Sequence, residues 1–187
     1  MKDDALLIDE ALGGVSAAFG QLVQKYQDRL YNTIVHVAGS TEEALDVVQE
    51  AFVQAFLKLD TFQRTAAFYT WLYRIAFNVA ISRRRRMRTT VSVDEAREAT
   101  GDEPASRDPD PTERLEREER AGQVQAALAT LSDEHRAVLV LREIDGCCYE
   151  TIADMLDLPV GTVRSRLHRA RLQLREQLKG VLQADPN

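Results

Sequence analysis

The stretch from Tyr149 to Leu178, YETIADMLDLPVGTVRSRLHRARLQLREQL, constrains the fold of this chain more than any other. Ile152, Ala153 and Leu156 recur at three- and four-residue spacing, and Asp157-Leu158-Pro159 then interrupts them. Val163, Leu167, Ala170, Leu174 and Leu178 take the spacing up again. Apolar residues so spaced share one face of an α-helix, and the interruption marks one helix stopping and a second starting after a tight turn. That is helix-turn-helix spacing. The second helix carries Arg164, Arg166, His168, Arg169, Arg171 and Arg175, opposed along its own length only by Glu176. An apolar stripe with a cationic remainder suits a helix laid in the major groove of DNA. The alternative from this stretch alone is a solvated basic helix.

The rest of the chain limits how such a helix is used. With 187 residues and 44% hydrophobic composition, two compact helical domains are expected. The formal net charge of -6 excludes a uniformly basic nucleic-acid binder, so DNA contacts must rest on local patches or on a partner's help. No apolar run is long enough to cross a bilayer, and the opening MKDDALLIDEALGG is acidic, unlike a secretion signal, which places the protein in the cytoplasm. Cys147 and Cys148 are adjacent, which fits structural thiols better than a disulfide. His36, His135 and His168 are scattered, with no ligand partners at metal-binding spacing.

In the amino-terminal half, Phe19, Leu22, Val23, Tyr26, Leu30 and Ile34 predict a helix from Ala17 to about Val37, ended by Gly39-Ser40. Ser40 or Thr41 can cap a second helix reaching about Leu59, with Glu42 and Glu43 in its first turn. Its inward face is Ala44, Val47, Val48, Ala51, Phe52, Ala55 and Phe56, which points Asp46, Gln49 and Glu50 outward together. That acidic face is either solvated or docks on a basic protein surface. Asp60 to Ala67 reads as a loop, and the following helix packs Trp71, Leu72, Ile75, Ala76 and Val79 inward before ending in Arg83, Arg84, Arg85, Arg86 and Arg88. Those arginines, with Phe68, Tyr69, Trp71 and Asn78 as exposed candidates, resemble a surface that holds phosphates and stacks unpaired bases. Alternatively Trp71 and Tyr73 are core and the arginines a solvated cap.

From Thr89 to Glu119 the chain is rich in Asp, Glu and Pro and poor in large apolar residues, the composition of an acidic linker. Val124, Ala127, Leu128 and Leu131 then predict a helix. Ser132 caps another with Ala137, Val138, Leu141 and Ile144 inward, and Gly146 ends it. With the two helices of the opening stretch this makes four.

In this order the motifs resemble a bacterial sigma factor of the sigma-70 family, in its small extracytoplasmic-function group. EEALDVVQEAF looks like the family's core-binding segment. FYTWLYRIAFNVA with its arginines looks like the promoter-melting segment, and LREIDG with PVGTVRSRLHRAR like the minus-thirty-five reader. The resemblance implies an all-α fold of two small helical domains. Residues 1–88 would be sigma region 2, 89–119 a flexible acidic linker threading the polymerase's RNA path, and 120–187 sigma region 4. It implies core RNA polymerase, promoter DNA and an anti-sigma factor as partners, with no cofactor, no small-molecule substrate and no membrane insertion. Asp46, Gln49 and Glu50 would dock on core polymerase. Phe62, Arg64, Phe68, Trp71, Arg74, Asn78, Arg83, Arg84, Arg85 and Arg86 would engage the melted minus-ten element. Thr162, Arg164, Ser165, Arg166, His168 and Arg169 would read the minus-thirty-five element as duplex.

Three departures from the family pattern bear on binding rather than on class. Gln63-Arg64-Thr65 stands where members often carry Arg-Gly-acid, Ser82 where an aspartate is usual, and Leu45 where an acidic residue is common. A stand-alone helix-turn-helix regulator would leave the amino-terminal half without a role, since it shows no strand pattern or ligand motif. An enzyme would need a nucleophile, a base and an orienting group at workable spacing, or a phosphate-cradling glycine loop, and neither is present.

Overall fold

The computed structural model describes residues 3–91 and 121–183, and the regular structure among them is helical. The opening residues, whose charge order marked them only as unlike a secretion signal, form α1 (Asp4–Leu12). Leu7 and Ile8 bury against α2 (Ser16–Ala38), and Asp4 ties the two helices by accepting from Lys25 Nζ at 2.5 Å and from the Tyr26 hydroxyl. Gly39, at φ +104°, closes α2 in the left-handed conformation that costs glycine little. Ser40 Oγ then accepts from the Glu43 amide at 3.1 Å and caps α3 (Thr41–Leu57). A single 3-10 turn (Leu59–Thr61) and a bend lead into α4 (Phe68–Val91).

Helices α2, α3 and α4 enclose Leu22, Leu30, Ile34, Val47, Ala51, Leu72 and Ala76, all sealed from water. Each large side chain among them contributes about 1.5–3 kcal/mol. Three expectations fail here. Phe56 is 46% exposed, because the inner stripe of α3 is completed by Ala44, Ala51 and Ala55 and leaves Phe56 at its edge. Phe68 and Tyr69 are buried rather than exposed, because the start of α4 presses both against Tyr26, at ring separations of 5.7 and 5.6 Å. The helix does not end at the arginines: it runs through them to Val91, into the first residues of the expected linker. The remainder of that linker lies outside the described residues.

The carboxy-terminal half consists of α5 (residues 121–129), α6 (Asp133–Glu143), α7 (Tyr149–Leu156) and α8 (Val160–Gln183). Ser132 caps α6 through the His135 amide at 3.3 Å. Ile144 was expected inside and is exposed, and so is Val124 of the helix-forming pattern. Ala127 and Leu128 form the inner face of α5, Leu131 is buried just beyond its end, and Ile144 is the residue at which the chain turns away toward Gly146.

Apolar periodicity gave no hint of Arg136, which is 1% exposed. Its guanidinium donates to the carbonyls of Leu128 (2.7 Å), Ala129 (2.8 Å), Leu131 (3.0 Å) and, across the molecule, Val37 (3.3 Å). Carbonyls at helix ends lack partners within the helix and carry the negative end of its dipole, so one cation here satisfies the ends of α5 and α2 together.

The two halves pack on one another, α6 against α2 and α7 against α4. Arg29 donates twice to Asp145, at 2.8 and 3.0 Å, while lying 4.0 Å over the Tyr69 ring. Arg84 pairs with Asp133 at 2.9 Å, and Gln125 contacts His36 Nδ1 and donates to the Val35 carbonyl. Arg74 donates from Nε to the Asp154 carbonyl at 2.6 Å, with a second bond from Nη2.

Candidate nucleic-acid interface

The turn between α7 and α8 is built by Asp157, which adopts the left-handed conformation at φ 53° and donates its amide to the Ala153 carbonyl. Asp is among the few residues that tolerate this conformation. The Pro159 carbonyl accepts from Thr162 (2.9 Å) and Val163 (3.1 Å) and starts α8. Ile152, Ala153 and Met155 of α7 bury with Val163, Leu167 and Ala170 of α8, and this packing fixes the rotation of α8 about its axis. Arg164, Ser165, His168 and Arg169 are therefore turned to solvent on one side, with Thr162 and Arg166 half-buried beside them. Ser165 Oγ donates to the Thr162 carbonyl. Glu176 does not oppose the cations alone: α6 supplies Glu134 to Arg166 at 2.8 Å and Glu143 to Arg171 at 2.5 Å. Arg164, Ser165, His168 and Arg169 remain as the exposed polar face of α8.

A second surface lies where the bend meets α4. Thr61, Phe62, Gln63, Thr65, Ala66, Thr70, Trp71 and Arg74 line a pocket of about 200 Å³. Small-molecule sites usually measure about 300–1,000 Å³, so this one suits a single ring system. Phe62 and Trp71 form its aromatic wall, with centroids 5.1 Å apart, and buried Phe68 buttresses both at 5.8 Å. Of the residues expected to meet unpaired bases, Phe62, Trp71 and Arg74 come together here. Asn78 is exposed one turn beyond Arg74, and Phe68 serves as support. The Arg64 side chain is turned to Asp9 of α1 instead of into the pocket.

The arginines along α4 divide. Arg85 and Arg86 are exposed, Arg84 reaches α6, and Arg83 folds back on α3. Arg83 donates from Nε and Nη2 to Glu50 at 3.0 and 2.9 Å, and from Nη1 to Asp46 at 2.9 Å. These bonds to Asp46 and Glu50 push its pKa up. The acidic face of α3 thus carries its own counter-ion, and only Gln49 of the expected trio lies outside that network. Beside it, Phe19, Val23, Leu45, Phe52, Val53, Phe56 and Leu57 line an open apolar groove of about 620 Å³ between α2 and α3, with Asp46 and Gln49 also lining it. Val53 and Leu57 were missed as site residues, and Leu45 stood out only as a departure from the family pattern. Apolar positions on a second face of α3 were the readable sign.

Among the described residues, no group of three or more His, Cys, Asp or Glu side chains could hold a metal ion, and no helix is long and apolar enough to cross a membrane.

The family model for sigma-70 region 2 matches residues 22–90, which contain the base-sized pocket and the acidic face, and that for sigma-70 region 4 matches residues 121–174, which contain α7 and most of α8. The RNA polymerase sigma-H factor of Pseudomonas aeruginosa is 38% identical over 97% of this chain and 96% of its own length. This chain belongs to the sigma-70 family, in its extracytoplasmic-function group. The group's SigW of Bacillus subtilis is 34% identical over 93% of this sigma factor and 96% of its own length. Among solved structures, RpoE of Bartonella quintana in complex with the anti-sigma factor NepR superposes with a TM-score of 0.69 at 26% identity, over 86% of this chain and 96% of that one. CnrH in complex with the cytosolic domain of CnrY gives 0.66 at 28% identity, over 98% and 99%.

Proposed function

We propose that this sigma factor is the promoter-specificity subunit of a bacterial RNA polymerase, acting in the cytoplasm. The observation that carries the reading is that the sequence match to named sigma factors spans both candidate surfaces on one chain. Residues 1–88 bind core polymerase and the minus-ten element, 89–119 connect, and 120–187 bind the minus-thirty-five element. It carries out no covalent step: binding energy from a base seated beside Phe62 and Trp71 offsets part of the cost of unstacking it. Arg164, Ser165, His168 and Arg169, with Thr162 and Arg166 beside them, enter the major groove of the upstream element.

Core polymerase docks on α3. Exposed ion pairs are worth about 0–1 kcal/mol, so polymerase cations can displace Arg83 from Asp46 and Glu50 at little cost. The neighbouring apolar groove supplies the area that charge pairing lacks, with charge setting register. An anti-sigma factor is the expected competitor there.

The packed halves give this function a condition. Elements about 25 base pairs apart are separated by roughly 85 Å of duplex. A compact chain of this length has a radius of gyration of about 16 Å. Reading both elements therefore requires α7 to leave α4, which also releases Arg74. Promoter selected from a random pool by the reconstituted holoenzyme, then titrated by anisotropy, tests this. The free chain should bind it weakly and core polymerase should make binding tight and sequence-specific; equal, tight, specific binding by the free chain overturns the proposal.

A further inference from the structure

Two non-glycine residues among those described have positive φ, Arg64 at 58° and Asp157 at 53°. Asp157 is a helix cap of a residue type that accepts the left-handed conformation. Arg64 has no such local reason, and a side chain with a Cβ resists this conformation. Something outside the bend must hold it. The ion pair from Arg64 Nη2 to Asp9 Oδ1 joins residues far apart in sequence, and it pulls the Asp9 carboxyl below its usual range. Asp9 has a fixed base: α1 is anchored by buried Leu7 and Ile8 and by the bonds of Asp4 to Lys25 and Tyr26, and it contacts the 3-10 turn that opens the bend.

The consequence falls on the neighbours of Arg64. Gln63 and Thr65 both line the base-sized pocket, whereas Arg64 does not. With the Arg64 side chain turned out to Asp9, the residues on either side of it face the same cavity. We propose that Asp9, a residue outside the pocket, is a positioning residue for minus-ten base choice, holding Arg64 in the left-handed conformation so that Gln63 and Thr65 present their polar groups to the captured base. On this account Arg64 is a brace, not a phosphate contact. The inference rests on the promoter-binding reading above. Both side chains of the pair are substantially exposed, so the pair is worth at most about a fivefold change in loop population. Its loss should blur discrimination without unfolding the protein.

The test uses holoenzyme reconstituted from the full chain and core polymerase, with a promoter library randomised across the minus-ten element. Asp9→Asn should lower the preference for the best base over the next, at the one position the pocket reads, by roughly fivefold. Affinity for the best promoter should fall by that same factor while the next-best is unmoved, and the salt dependence and the thermal midpoint of the free chain should stay as in the wild type. Exchanging the charges, Asp9→Arg with Arg64→Asp, should restore the preference, since Asp accepts the left-handed conformation and the pair is rebuilt. If Arg64 met a phosphate, the exchange would instead set a carboxylate against DNA and weaken every sequence alike, and that result overturns the proposal. So does a base profile unmoved by Asp9→Asn. A wild-type holoenzyme with no core-dependent promoter selection would bring down the sigma-factor reading itself, a failure distinct from either.

Discussion

Val163 and Leu167 are fixed in the core, and on a helix that alone decides where Arg164 and Arg169 point. If either arginine reads a base edge, replacing it with alanine should cost about 1–3 kcal/mol and relax preference at one minus-thirty-five position. A phosphate contact would weaken all sequences alike, so a promoter-library profile separates the two. Unchanged position and strength in both variants would remove α8 from recognition. Cys147 is a second residue with a measurable signature. Burial pushes its thiol up to about 12 from an ordinary 9.0, helped by the Asp145 carboxylate that accepts from Sγ at 3.1 Å. A pKa raised by folding means stability fully present below pH 9.0 and lost as pH rises toward about 12. At about pH 10 the loss should reach about 1 kcal/mol. Urea unfolding at about pH 8 and about pH 10 should show a larger fall for the wild type than for Cys147→Ala; parallel falls would contradict it. Residue types and spacing made Asp46, Trp71 and Arg164 legible as surface candidates. They could not show that Arg136 is buried over the carbonyl ends of α5 and α2 or that Arg64 turns to Asp9, because apolar spacing does not report how helix ends and loops come together.

At the scale of one helix, α7 begins poorly. Cys148 occupies the N-cap with extended backbone and makes no capping bond from its side chain; its sulfur lies 3.1 Å from Thr151 Oγ1 instead. A capping box would place Ser and Glu at these positions, each side chain accepting from the other residue's amide. Cys148→Ser with Thr151→Glu should stabilise the chain by about 1 kcal/mol, with coupling between the sites in a double-mutant cycle and no change in preferred promoter sequence. Cys148 is exposed, so serine there leaves no buried hydroxyl unpaired, and a double variant no more stable than the wild type would refute the assignment. Helices with long single stripes, α2 and α8, were readable because one face alone meets a core, and α3 was readable from its buried stripe despite a second apolar face. Helix α1 was not, since its short DALLIDEAL run mixes charge among apolar residues. The continuation of α4 through its arginines was hidden because Asp46, Glu50 and Asp133, which receive two of them, lie on other helices.

At the scale of the whole molecule, the packed halves hold surfaces that the sequence presents as separate. One tie is Arg29 to Asp145, in which the arginine is 48% exposed and the carboxylate only 5%. Removing one partner of such a pair is costly, so Arg29→Gln should shift the free chain toward the open arrangement by about 2 kcal/mol. Fluorescence energy transfer between labels on α3 and α8 should report a longer distance in the free variant and no difference between the holoenzymes. An unchanged distance in the free variant would mean the tie does not hold the halves together. The central claim, that this chain directs polymerase to promoters, is tested most directly by run-off transcription from a template carrying the selected promoter. Core polymerase should initiate at one discrete start only when the chain is added, and Trp71→Ala or Arg164→Ala should lower that yield. A discrete start from core polymerase alone, or none after the chain is added, would contradict the account.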